Sequence, residues 1–210
     1  TLIEHLFDQL GYHGSTGDYV NRSNSYLNEV IDDREGLPIT LSILFIELAN
    51  KLDLPVSGVG IPRHFIAMYR EEPNAEQPKE KPKEILIDVF GGGKFVTRKE
   101  AAELSGLELT DDDFEPASKR SIILRMLRNL LNGAEQERDA KGRMRYLDAI
   151  LAIDSADEYS RAMRAMINYG EGLFDEALLD IEILIEKNPE GPETAPLREI
   201  RERLINRGKE

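Results

Sequence analysis

Apolar residues recur at helical spacing at the start of the chain (Leu2, Ile3, Leu6, Phe7, Leu10) and stop at Gly11. Tyr12 to Asn28 is polar. Within it, Asn24-Ser25-Tyr26-Leu27-Asn28 suits turns and side-chain-to-backbone hydrogen bonds, and predicts entry to a short helix through Val30 that Asp32-Asp33-Arg34-Glu35-Gly36 ends. The densest apolar stretch comes next. Pro38 suits a first helical position, having no N–H to lose and a φ already helical. After it, Ile39, Leu41, Ile43, Leu44, Phe45, Ile46, Leu48, Ala49 and Leu52 leave almost no polar face. Such a helix is buried in a core, and it is too short and interrupted to span a membrane. A buried helix N-terminus carries free N–H groups and partial positive charge, which favour a nucleophile or an anion.

The period then shortens to that of strands. Val56–Ile61 and His64–Tyr69 read as two strands around a Pro62-Arg63 turn, with His64, Ile66 and Met68 on one face. Residues 71–84, wholly polar with three prolines, read as a solvated hairpin loop. A third strand, Ile85–Phe90, ends in Gly91-Gly92-Gly93, and Phe95-Val96 can pair briefly with a neighbour. Thr97-Arg98-Lys99-Glu100 has the form of a capping box before a short helix to Leu104. From Asp111 onward the patterning is helical only, with apolar stripes over 118–131, 139–153, 158–169, 174–186 and 194–205. Leu147, Ile150 and Leu151 recur as Ile181, Leu184 and Ile185, and Asp154-Ser155 as Asn188-Pro189, an offset of 34 residues. That is the period of a tetratricopeptide-type helical hairpin. The pattern predicts an α+β domain over 1–114, with the buried helix packed on a small antiparallel sheet, and an all-α repeat region over 115–210.

Charge narrows the partners. A formal net charge of -13 argues against nucleic acid and against an anionic membrane surface. No apolar run reaches transmembrane length and no secretory signal is visible, so a cytoplasmic location is expected. The helical pattern is already under way at Thr1, so residues upstream are also expected. The chain has no cysteine, which removes disulfides, thiolate metal sites and cysteine nucleophiles together. His5, His13 and His64 are too scattered for a zinc site, and neither a metal nor a cofactor is expected.

A buried helix start, then a strand histidine, then a strand aspartate, is the order of papain-like and transglutaminase-like sites, where the histidine is the base and the aspartate orients it. His64 and Asp88 fill the last two positions. A histidine and an aspartate on paired strands also meet without any chemistry, as a buried hydrogen-bonded pair. Four stretches carry a resemblance: Asn24–Asn28, Arg34–Ser42, Pro62–Phe65 and Ile87–Gly93. They look like the SirB1 family, and the match covers nearly the whole sequence. The resemblance implies a papain/transglutaminase-like α+β core followed by tetratricopeptide-like repeats. It also implies a catalytic triad whose histidine and aspartate match His64 and Asp88 and whose cysteine position is Pro38. Arg63 stands where the family usually has glycine, and Val89 where it often has proline. Thr40 and Ser42 are the nearest hydroxyls. Ser42 lies one turn deeper than Pro38, with its hydroxyl expected to bond back to the Pro38 carbonyl, and Thr40 points about half a turn away.

Three functions fit this sequence. The first is a non-catalytic transglutaminase-like protein that binds a protein or peptide, with His64–Asp88 as a structural pair. The second is a hydrolase or acyl transferase using Thr40 or Ser42 with that pair. The third is an adaptor whose helical repeats do the work. Candidate binding residues are Asn24 and Arg63 in the core and Tyr159, Met166 and Tyr169 on the repeats. The arginines at 125, 128, 161 and 164 are a candidate basic stripe.

Overall fold

The computed structural model describes residues 1–71 and 83–207 of the chain. They divide into two compact units, Thr1–Gly133 and Ala134–Glu210. The first opens with a helical segment, Glu4–Gln9, that is wider than the expected α-helix; its end is closed by the Leu10 N–H bonding to the His5 carbonyl at 3.0 Å. Strand β1 (His13–Gly14) pairs in parallel with β2 (Glu35–Gly36). Between them lies the short helix α1 (Leu27–Asp33), which ends where Arg34 takes a left-handed conformation and donates its N–H to the Val30 carbonyl.

The apolar stretch after Gly36 is helix α2 (Pro38–Lys51), with Pro38 in its first turn. The Thr40 hydroxyl accepts the Leu37 N–H at 2.9 Å, which satisfies one donor at the helix start. Four strands follow: β3 (Val56–Val59), β4 (Ile66–Arg70), β5 (Glu84–Asp88) and β6 (Lys94–Val96). They form one antiparallel sheet in that order. Val56, Ala67 and Ile87 point to the side where Leu41, Phe45 and Ala49 of α2 pack. Ile66, Met68 and Leu86 point to the other, against Ile61, Ala101 and Phe114. Both faces are covered, which is why β4 reads as a nearly continuous apolar run.

Several boundaries differ from the sequence reading: β3 ends at Val59 instead of Ile61, and β5 at Asp88 instead of Phe90. His64 and Phe65 precede β4 instead of opening it, so His64 does not share a strand face with Ile66 and Met68. The turn at Pro62-Arg63 is where the sequence placed it, but the apolar run hid where the strand begins. The loop expected over 71–84 falls mostly on residues outside the described ones; at its flanks the Glu71 N–H bonds to the Lys83 carbonyl at 3.0 Å, continuing the pairing of β4 and β5. Helix α3 (Arg98–Ser105) has the expected capping box: the Thr97 N–H donates to Glu100 Oε2 at 2.7 Å and the Glu100 N–H to Thr97 Oγ1 at 3.2 Å.

Helix α4 (Lys119–Gln136) carries the break between units, later than the expected start of the helical region at 115. The reason is packing. Ile122 and Met126 lie against Leu37, Ile39 and Phe65, so most of α4 belongs to the first unit.

The second unit is helical: α5 (Ala140–Ile153), α6 (Glu158–Gly170), α7 (Phe174–Lys187) and α8 (Ala195–Arg207). Each packs on the next. Helices α5 and α7 start at residues 140 and 174, the 34-residue offset seen in the sequence. Their C-caps share a conformation as well, with φ -131° and ψ 82° at Asp154 and φ -142° and ψ 76° at Asn188. Ala165, Ile181, Ile185 and Leu204 form the unit's core. Among the described residues no helix is long and apolar enough to cross a membrane.

Candidate functional site

His64 closes a turn in which its N–H bonds to the Ile61 carbonyl at 3.2 Å. Pro62 holds the second position of this turn. Arg63, with φ of 60°, holds the third, as in a type II turn, where glycine is the easier residue. Asp88 ends β5. Antiparallel register sets Ala67 opposite Ile87, so Asp88 at the end of β5 falls level with the start of β4, just beyond the turn that holds His64, and the two side chains meet. His64 Nε2 lies 2.8 Å from Asp88 Oδ1, and both residues are buried. With the carboxylate accepting at Nε2, a neutral ring carries its proton there and keeps its lone pair on Nδ1.

Burial pushes the Asp88 carboxyl up, but it is opposed by the hydrogen bond and charge of His64, the Gly91 N–H and the charge of Lys94. Together these hold it below the ordinary carboxylate value. Phe90 presents its edge to the His64 ring at 5.9 Å between centroids, and it fits there because Gly14 of β1 has no Cβ to overlap the phenyl ring. Gly91 serves the site in the same way: a Cβ there would collide with Asp88 Oδ2. Gly91→Ala is therefore expected to displace the carboxylate and cost about 1–3 kcal/mol, the range for a buried hydrogen-bonding group left without its partner. Thermal unfolding measures the cost, and the His64 ring proton shifts should move with it. Unchanged shifts would mean that the Gly91 contact does not hold the carboxylate.

At the start of α2 the groups nearest the implied nucleophile position are all engaged. Pro38 is buried and offers no reactive atom. The Thr40 hydroxyl is inaccessible to solvent and donates toward the carbonyls of Asn24 (2.8 Å) and Leu37 (3.2 Å). Ser42 bonds to the Phe65 carbonyl at 3.3 Å, not to Pro38 as expected. The segment entering β4 runs beside α2 and supplies that acceptor. Asn24 is buried as well. Its side chain donates to the Asp18 carbonyl at 2.7 Å, and its own carbonyl accepts from Leu37 N–H and Thr40, so it braces the helix start.

A recess of about 170 Å³ opens at Pro38. Ile39 and Phe65 contribute to its lining, with Tyr19, Arg63, Arg125 and Asn129 around them; His64 is not among the lining residues. Arg125 donates to the Ile61 carbonyl and the His64 carbonyl, both at 2.9 Å, and its guanidinium lies over the Phe65 ring. Burial pulls the Arg125 guanidinium down and pushes the Tyr19 phenol up; each is partly offset by the charge of the other.

In the second unit the candidate residues separate. Tyr159 and Met166 line a shallow depression of about 410 Å³ on α6, with Met163 and Ile167. Tyr169 lies elsewhere, edge-on to Phe174 in the unit's core. The expected basic stripe does not form. Arg161 and Arg164 both pair with Asp180, Arg125 belongs to the recess, and Arg128 is not free either. Among the described residues no cluster of His, Asp and Glu is placed to hold a metal ion.

The family model described as the transglutaminase-like superfamily matches residues 1–128. The chain belongs to the transglutaminase-like superfamily. The matched residues lie within the first unit, Thr1–Gly133. F-box only protein 21 from Pongo abelii is 31% identical over 186 residues, covering 84% of this chain and 29% of that protein. A UPF0162 protein from Xylella fastidiosa (strain Temecula1) is 35% identical over 135 residues, covering 60% of this chain and 45% of that protein. Protein SirB1 from Salmonella typhimurium is 25% identical over 202 residues, covering 94% of this chain and 72% of that protein. The transglutaminase-like chain is thus SirB1-like, and it spans less than half the length of the first two relatives. No solved structure matches it.

Sequence reasoning missed Tyr19 and Asn129 and misplaced Arg125. A signal was present for two of them. Residues 122, 125, 126 and 129 share one face of α4, and a cation and an amide interrupt the apolar side of a packed helix there. Tyr19 comes from an aperiodic loop and gave none.

Proposed function

We propose that this SirB1-like chain is a non-catalytic transglutaminase-like protein that works by binding a protein or peptide partner. One observation carries the reading: the start of α2 holds Pro38, and both nearby hydroxyls are buried and spend their protons on backbone carbonyls. Thiol chemistry at a helix N-terminus depends on a stabilised thiolate, and the chain has no cysteine. A hydroxyl has a far higher pKa and needs a base in direct contact. The competing hydrolase reading requires Thr40 or Ser42 to leave its carbonyl and reach solvent. His64 and Asp88 then act as a structural pair joining the turn before β4 to the end of β5. The proposal includes a cytoplasmic site of action, since a chain with no disulfide to form needs no oxidising compartment.

The test is an assay of glutamine-peptide hydrolysis and amine incorporation, with wild type beside Pro38→Cys and His64→Ala. Wild type is expected to show no turnover above background, because losing a nucleophile costs several orders of magnitude. Turnover in wild type that disappears in His64→Ala overturns the reading. Activity gained only in Pro38→Cys supports it.

A further inference from the structure

We propose that the recess at Pro38 is a carboxylate-binding subsite that captures one acidic group of the partner. The inference rests on the binding reading above and names the chemistry that the site would take. Three features carry it. First, the wall is cationic with nothing anionic to neutralise it. Among the described residues the Arg125 guanidinium is held only by two carbonyls and a ring face, and no carboxylate pairs with it or with Arg63. Second, the other polar groups on the wall are unoccupied. Among the described residues no hydrogen bond engages the Tyr19 hydroxyl or the Asn129 amide. Third, Arg63 takes a left-handed backbone at a turn position where a residue with a Cβ is disfavoured. A left-handed backbone at a residue with a Cβ points to a use for that residue, and Arg63 is one of the residues lining the recess.

Size and valence select the ligand. The recess of about 170 Å³ is small and open, and it admits a carboxyl group on a short stem. One guanidinium fork, one hydroxyl and one amide match the roughly four lone-pair sites of a carboxylate. The chain's net charge of -13 does not prevent this, because exposed charges beyond about 8 Å are screened at physiological ionic strength. The acidic group can be the partner's terminal α-carboxylate or the side chain of an Asp or Glu.

The experiment is an NMR titration of the full-length protein, reading the Asn129 side-chain amide and the arginine Nε–H signals. The probes are propionate, its neutral isostere propionamide, and inorganic phosphate. Propionate is expected to shift these signals saturably, propionamide not at all, and phosphate more weakly. Arg63→Gly removes the cation and relieves the backbone, so it should weaken propionate binding about ten- to hundredfold without lowering the melting temperature. Asn129→Leu should weaken it too. Equal shifts from propionate and propionamide, or unchanged binding in Arg63→Gly, overturn the proposal, and tighter binding of phosphate overturns the carboxylate assignment. Acetylated glycine peptides with a free C-terminus, an amidated C-terminus or one internal glutamate identify the source of the acid, and failure of both acidic peptides to bind overturns partner capture. Turnover in the wild-type assay would sink the non-catalytic reading alone, whereas absent turnover with no propionate binding would sink this inference alone.

Discussion

Asp180→Ala is expected to destabilise the helical unit by about 3–5 kcal/mol, the usual cost of removing one partner from a buried ion pair. Asp180 on α7 is 1% exposed and accepts three hydrogen bonds at 2.8 Å: from Arg161 Nη1 and Arg164 Nη2 at Oδ1, and from Arg164 Nε at Oδ2. Arg161 is itself buried, with its other arm bonded to the Ser155 carbonyl at 2.7 Å. Asp180, chiefly through these hydrogen bonds, holds the Arg164 guanidinium above its ordinary value, with Asp148 assisting. Arginine cannot shed its proton to escape burial, so losing Asp180 leaves an uncompensated charge between α6 and α7. Urea unfolding of the full-length protein, followed by far-UV circular dichroism, measures the loss. Asp148→Ala is the internal contrast. Asp148 is 57% exposed and its pair with Arg164 faces solvent, so about 0–1 kcal/mol is expected there. Equal effects from the two substitutions would show that burial does not set the cost. Replacing Arg161, Arg164 and Asp180 together by apolar residues of similar volume should recover most of the stability.

The same ion cluster marks one limit of the sequence. Arg161 and Asp180 are 19 residues apart on different helices, and each alone reads as part of a solvated face. Their union depends on the stacking of α6 on α7, which the 34-residue offset announces but whose rotation it does not fix. Other features were plain. The apolar run after Pro38 had nowhere to go but a core, and two consecutive strands able to pair as a hairpin bring His64 and Asp88 within reach of each other. What stayed hidden was tertiary. Ser42 finds the Phe65 carbonyl because β4 is entered alongside α2, and no local pattern encodes that neighbour. The turn at Pro62-Arg63 was legible from its proline, but its left-handed backbone was not, because an arginine gives no sign of one. The recess draws on a loop, a turn and two helices, so its parts lie more than a hundred residues apart from Tyr19 to Asn129. The sequence names one of its cations, Arg63, as a candidate binding residue, and the other, Arg125, as part of a candidate stripe that the ion pairs of α6 dissolve.

Asp88→Ala is expected to cost about 2–6 kcal/mol at neutral pH, because it strands two donors, the His64 Nε2–H and the Gly91 N–H, at about 1–3 kcal/mol each. The loss should depend on pH in a direction that the site dictates. The folded carboxyl is held below its ordinary value, so as pH falls the unfolded state takes up the proton first. Its contribution is complete above the unfolded pKa of about 4 and is lost as pH falls through the lower folded value. The gap between wild type and Asp88→Ala should then be flat above about pH 5 and narrow below about pH 4. Asp88→Asn separates charge from hydrogen bonding: its amide oxygen still accepts from His64, so it should lose less at neutral pH and lack the Asp88 contribution to the acid slope. Urea unfolding at pH 7, 5, 4 and 3 gives all three curves, and a gap that stays constant down to pH 3 contradicts the lowered carboxyl. The outcome also bears on why the pair exists. Groups held in place for chemistry are commonly maintained at some expense of stability, so their removal tends to be neutral or stabilising. A structural pair shows the opposite sign, and a large loss in Asp88→Ala is the result that the non-catalytic reading requires.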